Sequence, residues 1–128
     1  MSWFVCICCV QGRFHRKPLP ESCTDLCSAT GVALFKQGLA AGTMQCYFSL
    51  SSQFRTQDEP AFCGLGTLVM VLNALGVDPG TQWKGVWRWF SEEALDCCKP
   101  LDEVRKEGIT HDEFSCLAIC NGLSVTTV

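Results

Sequence analysis

The most strongly patterned part of the sequence is residues 63–76, which read CGLGTLVMVLNALG. Its leucines lie three or four residues apart, at Leu65, Leu68, Leu72 and Leu75. This spacing predicts an α-helix with one apolar face. Gly76, which adopts the left-handed backbone conformation readily, predicts the end of the helix, and Cys63 falls at its beginning.

Several segments on either side of this helix also carry helix signals. An apolar pattern with helical spacing begins at Ser28 and ends at Gly42, and a shorter helix is predicted to begin at Ser91 and to end at Cys97 and Cys98. Two further helices are predicted, one from Leu101 to Glu107 and one from about His111 to Cys120, where Thr110 and Glu113 form a capping box. Because no segment alternates as a strand does, the chain is predicted to be mostly helical.

The composition limits the class of protein. A chain of 128 residues has room for one small domain or for part of a larger one. The net charge of −3, without long runs of like charge, argues against a nucleic-acid-binding protein. No apolar stretch approaches the roughly 18–20 residues of a transmembrane helix, so no membrane span is predicted.

Eleven residues are cysteine, a high count for a chain of this size. The odd number and the lack of a signal peptide argue against a secreted disulfide framework. We therefore expect a reducing compartment, the cytoplasm, and mostly free thiols. Residues 1–13, with Cys6, Cys8 and Cys9, form an atypical apolar leader that we expect to be an appendage.

Cys63 is the first candidate for reaction chemistry. A thiol at the beginning of a helix is close to free N–H groups and to the positive end of the helix dipole, both of which favour the thiolate. The Gln57 amide and the Cys63 backbone N–H could stabilise an oxyanion formed when this thiolate attacks a carbonyl. A buried structural cysteine is the alternative. A nucleophile of this kind also needs a histidine base, and the sequence contains only His15 and His111.

The surroundings of Cys63 resemble the catalytic region of phytochelatin synthases. The resemblance is carried by FRTQDEPAFCGL (54–65), VLNAL (71–75), DPG (78–80), WKG (83–85), WRWF (87–90), LDCC (95–98), PL (100–101), EGI (107–109) and CLA (116–118). It covers residues 14–122, and residues 123–128 form a divergent tail. It implies an α+β papain-like cysteine-peptidase fold, of which this chain would cover mainly the helix-rich N-terminal lobe.

The resemblance also implies an activity, that of a glutathione γ-glutamylcysteinyltransferase, which makes phytochelatins from glutathione. Cys63 matches the nucleophile that forms the acyl-enzyme, and Gln57 matches the oxyanion-hole glutamine. The histidine and aspartate of the family have no counterparts among the matched residues. His111 is read as a surface residue at a helix start, so the 128 residues are expected to be an incomplete fragment with little or no activity by themselves.

Metal binding is expected from the same resemblance, with cadmium or zinc as activator, free or as the metal–glutathione thiolate. Cys97, Cys98, Cys116 and Cys120 match cysteines that recur in the family. Cys116 and Cys120 lie four residues apart on one helix face, which suits two thiolates on one soft ion and is awkward for a disulfide. Adjacent cysteines point to different sides of a helix, however, so buried free thiols are the alternative at these four positions.

The tryptophans and arginines near this region have two interpretations each. Trp83, Trp87 and Trp89 are expected to be core or lobe-interface aromatics and not a cage for a ligand. Arg55 and Arg88 either meet a glutathione carboxylate or pair with nearby acidic residues.

The sequence is compatible with three hypotheses about the chain. The first is a transferase acting on glutathione and phytochelatin peptides through Cys63. The second is a non-catalytic heavy-metal-binding thiol protein, and the third is a fragment that does not fold alone. The sequence leaves open whether the chain forms a homodimer.

Overall fold

The computed structural model describes residues 18–126, which belong to two compact units that divide between Thr43 and Met44. Within residues 18–43, the first unit contains one helix, α1 (Ala29–Ala40), whose N-terminus is capped by the Ser28 hydroxyl. This hydroxyl accepts a hydrogen bond from the Gly31 amide at 3.0 Å. Gly31 is buried against the preceding turn, where an added Cβ would lie 2.7 Å from the Leu26 Cα. The helix predicted to follow Ser28 is confirmed.

The second unit contains the remaining helices. They are α2 (Tyr47–Ser51), α3 (Cys63–Ala74), α4 (Leu101–Glu107) and α5 (His111–Cys120), together with 3-10 turns at Pro60–Phe62 and Glu92–Ala94. Helix α3 contacts α2, α5 and both 3-10 turns, and α4 contacts the Pro60–Phe62 turn. No strand occurs among residues 18–126, and the regular elements of this part of the chain are all helices or 3-10 turns, as the lack of strand alternation predicts.

The hydrophobic core lies around α3. Its buried apolar side chains come from α3 and from the segments that contact it: Phe62, Leu65, Leu68, Val69, Leu72, Phe90, Leu95, Val104, Leu117 and Ala118. Three of the four patterned leucines are therefore in the core. Leu75 is not, since α3 ends at Ala74 and the Leu75 side chain is 64% exposed. Gly76 has a φ of 68°, as its predicted role at the helix end requires.

The predicted helix from Ser91 to Cys97 and Cys98 is wrong, because only the single 3-10 turn Glu92–Ala94 forms. Leu95, with φ −107° and ψ 61°, leaves the helical region. Aspartate and the two cysteines that follow are weak helix formers, and Lys99 precedes a proline, which disfavours the helical conformation.

Polar contacts fix the irregular segments onto the helices. The Asn73 side chain forms two hydrogen bonds of 3.0 Å with the backbone of Phe90, donating to its carbonyl and accepting from its amide. Lys99, which is 8% exposed, forms ion pairs with Glu107 of α4 at 2.8 Å and with Glu113 of α5 at 3.1 Å. The predicted capping box of Thr110 and Glu113 is present at the start of α5.

Candidate active site and cysteine cluster

Cys63 is the first residue of α3, directly after the Pro60–Phe62 turn, and its side chain is exposed and free. Its carbonyl accepts a hydrogen bond from the Thr67 hydroxyl at 2.7 Å, within the first turn of the helix. The predicted position at the helix start is confirmed, and the alternative of a buried structural cysteine is wrong. The thiol is accessible to a dissolved substrate, at the positive end of the α3 helix dipole.

The Gln57 amide lies in the loop that leads to Cys63. Its Nε2 donates one hydrogen bond to the Glu59 carbonyl and one to the Pro60 carbonyl, both at 2.8 Å. These bonds use both amide hydrogens within the loop. A contribution of Gln57 to an oxyanion hole stays a prediction, and it requires that one of these hydrogens turn toward the substrate.

Glu92 also binds this loop, through hydrogen bonds from Arg55 and Asp58. No motif in the sequence identifies it as part of the site. Its side chain is fully buried, and its Oε2 accepts hydrogen bonds from the Asp58 amide at 3.1 Å and from the Arg55 guanidinium at 3.4 Å. Oε1 has no hydrogen-bond partner among the described residues. Burial raises the pKa of this carboxyl above its ordinary value. Glu92 and Asp58 are 34 residues apart in the sequence, so no local pattern marks the contact.

The side chain of Ile109 packs against position 64 and leaves room there only for glycine. A Cβ at this position would lie 2.5 Å from the Cγ1 and Cδ1 atoms of Ile109. We expect Gly64→Ala to lower the free energy of unfolding by about 1–3 kcal/mol, because Ile109 would have to move within a packed region. Urea denaturation followed by circular dichroism measures this change.

The matched control for Gly64→Ala is a double-mutant cycle with Ile109→Ala. Since the smaller side chain at position 109 makes room for the added methyl group, Gly64→Ala should cost less in the Ile109→Ala background than in the natural chain. An equal cost in both backgrounds would contradict the packing explanation.

The four cysteines expected to bind metal do lie together, and we call Cys97, Cys98, Cys116 and Cys120 the thiol cluster. A disulfide joins Cys98 to Cys116 of α5, whose Cα atoms are 6.4 Å apart. The sulfurs of Cys97 and Cys98 are 3.9 Å apart, and those of Cys97, Cys98 and Cys120 lie within 4.8 Å of one another.

Two expectations about the thiol cluster are corrected. Its members are not four buried free thiols, because two form the disulfide and Cys97, Cys116 and Cys120 are exposed. The prediction that the adjacent Cys97 and Cys98 side chains point to different sides of a helix is also wrong, since both residues lie in an irregular segment.

The electrostatics of the cluster keep Cys97 protonated. Partial desolvation of its sulfur, together with the hydrogen bond it shares with Cys120, raises the pKa of the Cys97 thiol to about 11. Ligation of a metal ion by this sulfur would therefore have to displace its proton.

Two other candidate residues, His111 and Arg88, lie beside acidic side chains. His111 is exposed at the start of α5, as expected, with Nδ1 3.9 Å from an Asp112 oxygen, and His15 lies outside the described residues. Arg88 pairs with Asp78 at 2.7 Å, which confirms the ion-pair reading.

The tryptophans are not core residues of the described chain. Trp83, Trp87 and Trp89 are 50%, 71% and 47% exposed. They line an open cavity of about 700 Å³ together with Arg55, Thr56, Phe90 and Ser91.

In the described part of the chain, every helix is too short or too polar to cross a bilayer.

Comparison with known proteins agrees with the resemblance seen in the sequence motifs. A family model described as phytochelatin synthase matches residues 14–128. The chain is 53% identical over 114 residues to a glutathione gamma-glutamylcysteinyltransferase of Schizosaccharomyces pombe, with 89% of this chain and 28% of the relative covered.

Plant proteins of the same name are similarly close. Glutathione gamma-glutamylcysteinyltransferase 1 of Triticum aestivum is 53% identical over 112 residues, with 87% of the chain and 22% of the relative covered. The protein of that name from Arabidopsis thaliana is 50% identical over 112 residues, with 87% and 23% covered. The chain spans about a quarter of the length of these relatives.

Proposed function

This chain belongs to the phytochelatin synthase family, and from that premise we propose that it carries the nucleophile of a glutathione γ-glutamylcysteinyltransferase. The observation that supports this most directly is the exposed Cys63 thiol at the first residue of α3, within the matched region. Glutathione and phytochelatin peptides are then the substrates and products. Under this proposal the cytoplasm is the compartment in which it acts, and the fold of the whole enzyme is α+β and papain-like.

The proposed reaction has two steps. The Cys63 thiolate attacks the carbonyl carbon of the Cys–Gly peptide bond of glutathione, that bond breaks, and glycine leaves with the proton it needs as an amine. The acyl group on Cys63 then passes to the amino group of a second glutathione or of a phytochelatin, and the thiolate is restored. The Cys63 backbone N–H, and a Gln57 amide released from the loop carbonyls, would stabilise the oxyanion in both steps.

The described residues give this thiol no histidine base. His111 forms its contact with Asp112, and no histidine within residues 18–126 is hydrogen bonded to Cys63. A missing base typically costs several orders of magnitude in rate. We therefore expect slow acylation that stops after one turnover, on a scale that mass spectrometry detects and a steady-state assay does not.

The test is the acyl adduct itself. After long incubation with glutathione, peptide mapping by mass spectrometry should find γ-Glu-Cys on Cys63, with an equal amount of glycine released. Cys63→Ser should remove both signals, while Cys46→Ser, a change at another exposed free cysteine, should leave them unchanged. An adduct that survives Cys63→Ser, or no adduct in a chain with its helical spectrum intact, would contradict the proposal.

Binding of a soft metal ion is the second candidate function, and the close approach of the cluster sulfurs favours it. Thiolates are preferred ligands of zinc and cadmium. In a tetrahedral site with bonds of about 2.3 Å, neighbouring sulfurs are about 3.8 Å apart, and the observed separation of Cys97 and Cys98 is 3.9 Å. With the Cys98–Cys116 disulfide reduced, Cys97, Cys98, Cys116 and Cys120 would hold the ion, which would neutralise the charge of the thiolates. Cadmium–thiolate absorbance without an adduct on Cys63 would favour this function over the transferase.

A further inference from the structure

We propose that the Cys98–Cys116 disulfide is an exchange site for a small thiol, and that opening it completes a four-sulfur site for a soft metal ion. The inference rests on the second candidate function for its metal and adds what controls that binding. It does not involve Cys63.

The disulfide is accessible to a small molecule. Cys116 is exposed on α5, and Cys98 is half-buried. The thiol cluster lines an open cavity of about 570 Å³ together with Asp112, Ser115 and Ile119. A cavity of this size is in the range of small-ligand pockets, so a thiol the size of a short peptide can reach the Cys116 sulfur.

The backbone around the cluster suits both the bridged and the open form. The Cα separation of 6.4 Å between Cys98 and Cys116 is within the usual range for a disulfide. Helix α5 also has other attachments, since Leu117 is fully buried in the core and Glu113 is paired with Lys99 at 3.1 Å. Opening the disulfide therefore leaves α5 in place, with its two cysteines beside Cys97 and Cys98.

The exchange balances with two small thiols. The first, as its thiolate, attacks the exposed Cys116 sulfur, the bond to Cys98 breaks, and Cys98 leaves as a thiolate that takes up a proton. The second thiol attacks the mixed disulfide and releases Cys116. Overall, one protein disulfide and two small thiols become two protein thiols and one small-molecule disulfide, so two electrons pass to the protein.

The two forms differ in the ligands that they offer. With the disulfide closed, Cys97 and Cys120 are the cluster's only free thiols, because a disulfide sulfur carries no thiolate charge to bind a metal ion. With the disulfide open, four thiols lie in one place. The reduced form should therefore bind a soft ion at least about a hundredfold more tightly than the oxidised form.

The experiment uses the full chain, glutathione and cadmium chloride. The folded, oxidised chain is treated with millimolar glutathione, alkylated with N-ethylmaleimide and mapped by mass spectrometry. We expect Cys98 and Cys116 to become alkylated together. Cadmium added before alkylation should then protect all four cluster cysteines, at concentrations at least about a hundredfold below those needed in the oxidised chain.

Two variants separate exchange from metal binding. Cys116→Ser removes the disulfide and should make cadmium protection of the other three cysteines independent of glutathione. If that variant loses its helical spectrum, Cys120→Ser serves instead, because it keeps the disulfide and should still be opened by glutathione while binding cadmium less tightly. Cys46→Ser, outside the cluster, is the matched control.

Two results would overturn the inference. One is a disulfide that glutathione leaves closed in the folded chain although a phosphine reductant opens it. The other is cadmium protection that is equally strong in the oxidised and reduced chains. Both are read at the cluster peptides, so they are distinct from a failure of the transferase proposal, which is read at Cys63.

Discussion

Leu72→Ala should lower the free energy of unfolding by about 2–5 kcal/mol, and Leu75→Ala, three residues along the sequence, by no more than about 0.5 kcal/mol. The Leu72 side chain is fully buried in the core around α3, whereas Leu75 is 64% exposed at the helix end. Removing buried methyl groups loses their transfer free energy and leaves a cavity. Removing exposed ones does neither.

Urea denaturation of the two variants, followed by far-UV circular dichroism, checks this contrast. Leucine and alanine are both good helix formers, so the helix itself is little affected by either change. Because domains of this size are stabilised by only about 5–15 kcal/mol, Leu72→Ala removes a large part of the total. Equal effects of the two substitutions would show that the face of α3 bearing Leu72 is not the one that carries the core.

Arg55→Gln should lower the free energy of unfolding by about 3 kcal/mol at neutral pH, because it leaves the buried Glu92 carboxylate without its cation. The matched control is Arg88→Gln, which removes an equally direct ion pair. The Asp78 partner of Arg88 is 59% exposed, so water replaces the lost contact and the expected cost is below about 1 kcal/mol.

The cost of Arg55→Gln should also depend on pH. Burial raises the pKa of Glu92 in the folded chain above its ordinary value of 4.5, and the positive charge of Arg55 opposes this rise. The folded variant therefore holds the Glu92 proton to a higher pH than the natural chain does. The destabilisation is full above the raised pKa and shrinks as the pH falls through it, because protonated Glu92 needs no cation. A cost that stays constant with pH would contradict this account.

Local signals in the sequence predicted the regular elements well. The leucine spacing predicts α3, and the capping box of Thr110 and Glu113 predicts the start of α5, because both signals depend on residues within one or two turns. The segment after Ser91 was mispredicted, since its acidic first turn is a weak signal and the residues after Leu95 do not support a helix. The leucine periodicity also predicts Leu75 on the buried face, because it continues one residue past Ala74, where α3 ends.

The candidate site was predictable to the extent that it is local. The position of Cys63 at a helix start follows from a few neighbouring residues, and the structure agrees. The burial of Glu92 beneath the loop of Arg55 and Asp58 depends on segments more than 30 residues apart, as the separation of 34 between Glu92 and Asp58 shows. The disulfide depends likewise on how Cys98 and Cys116 approach across 18 residues of sequence, which spacing does not determine.

The paired hydrogen bonds between the Asn73 side chain and the Phe90 backbone have a consequence for mutational tolerance. An amide offers a donor and an acceptor side by side, as a neighbouring β-strand would, whereas aspartate lacks the donor and leucine lacks both. Glutamine has the amide but carries it one methylene further from α3. Asparagine is therefore the amino acid that can form both hydrogen bonds at position 73. The segment that it holds, at Phe90, is 17 residues away in the sequence.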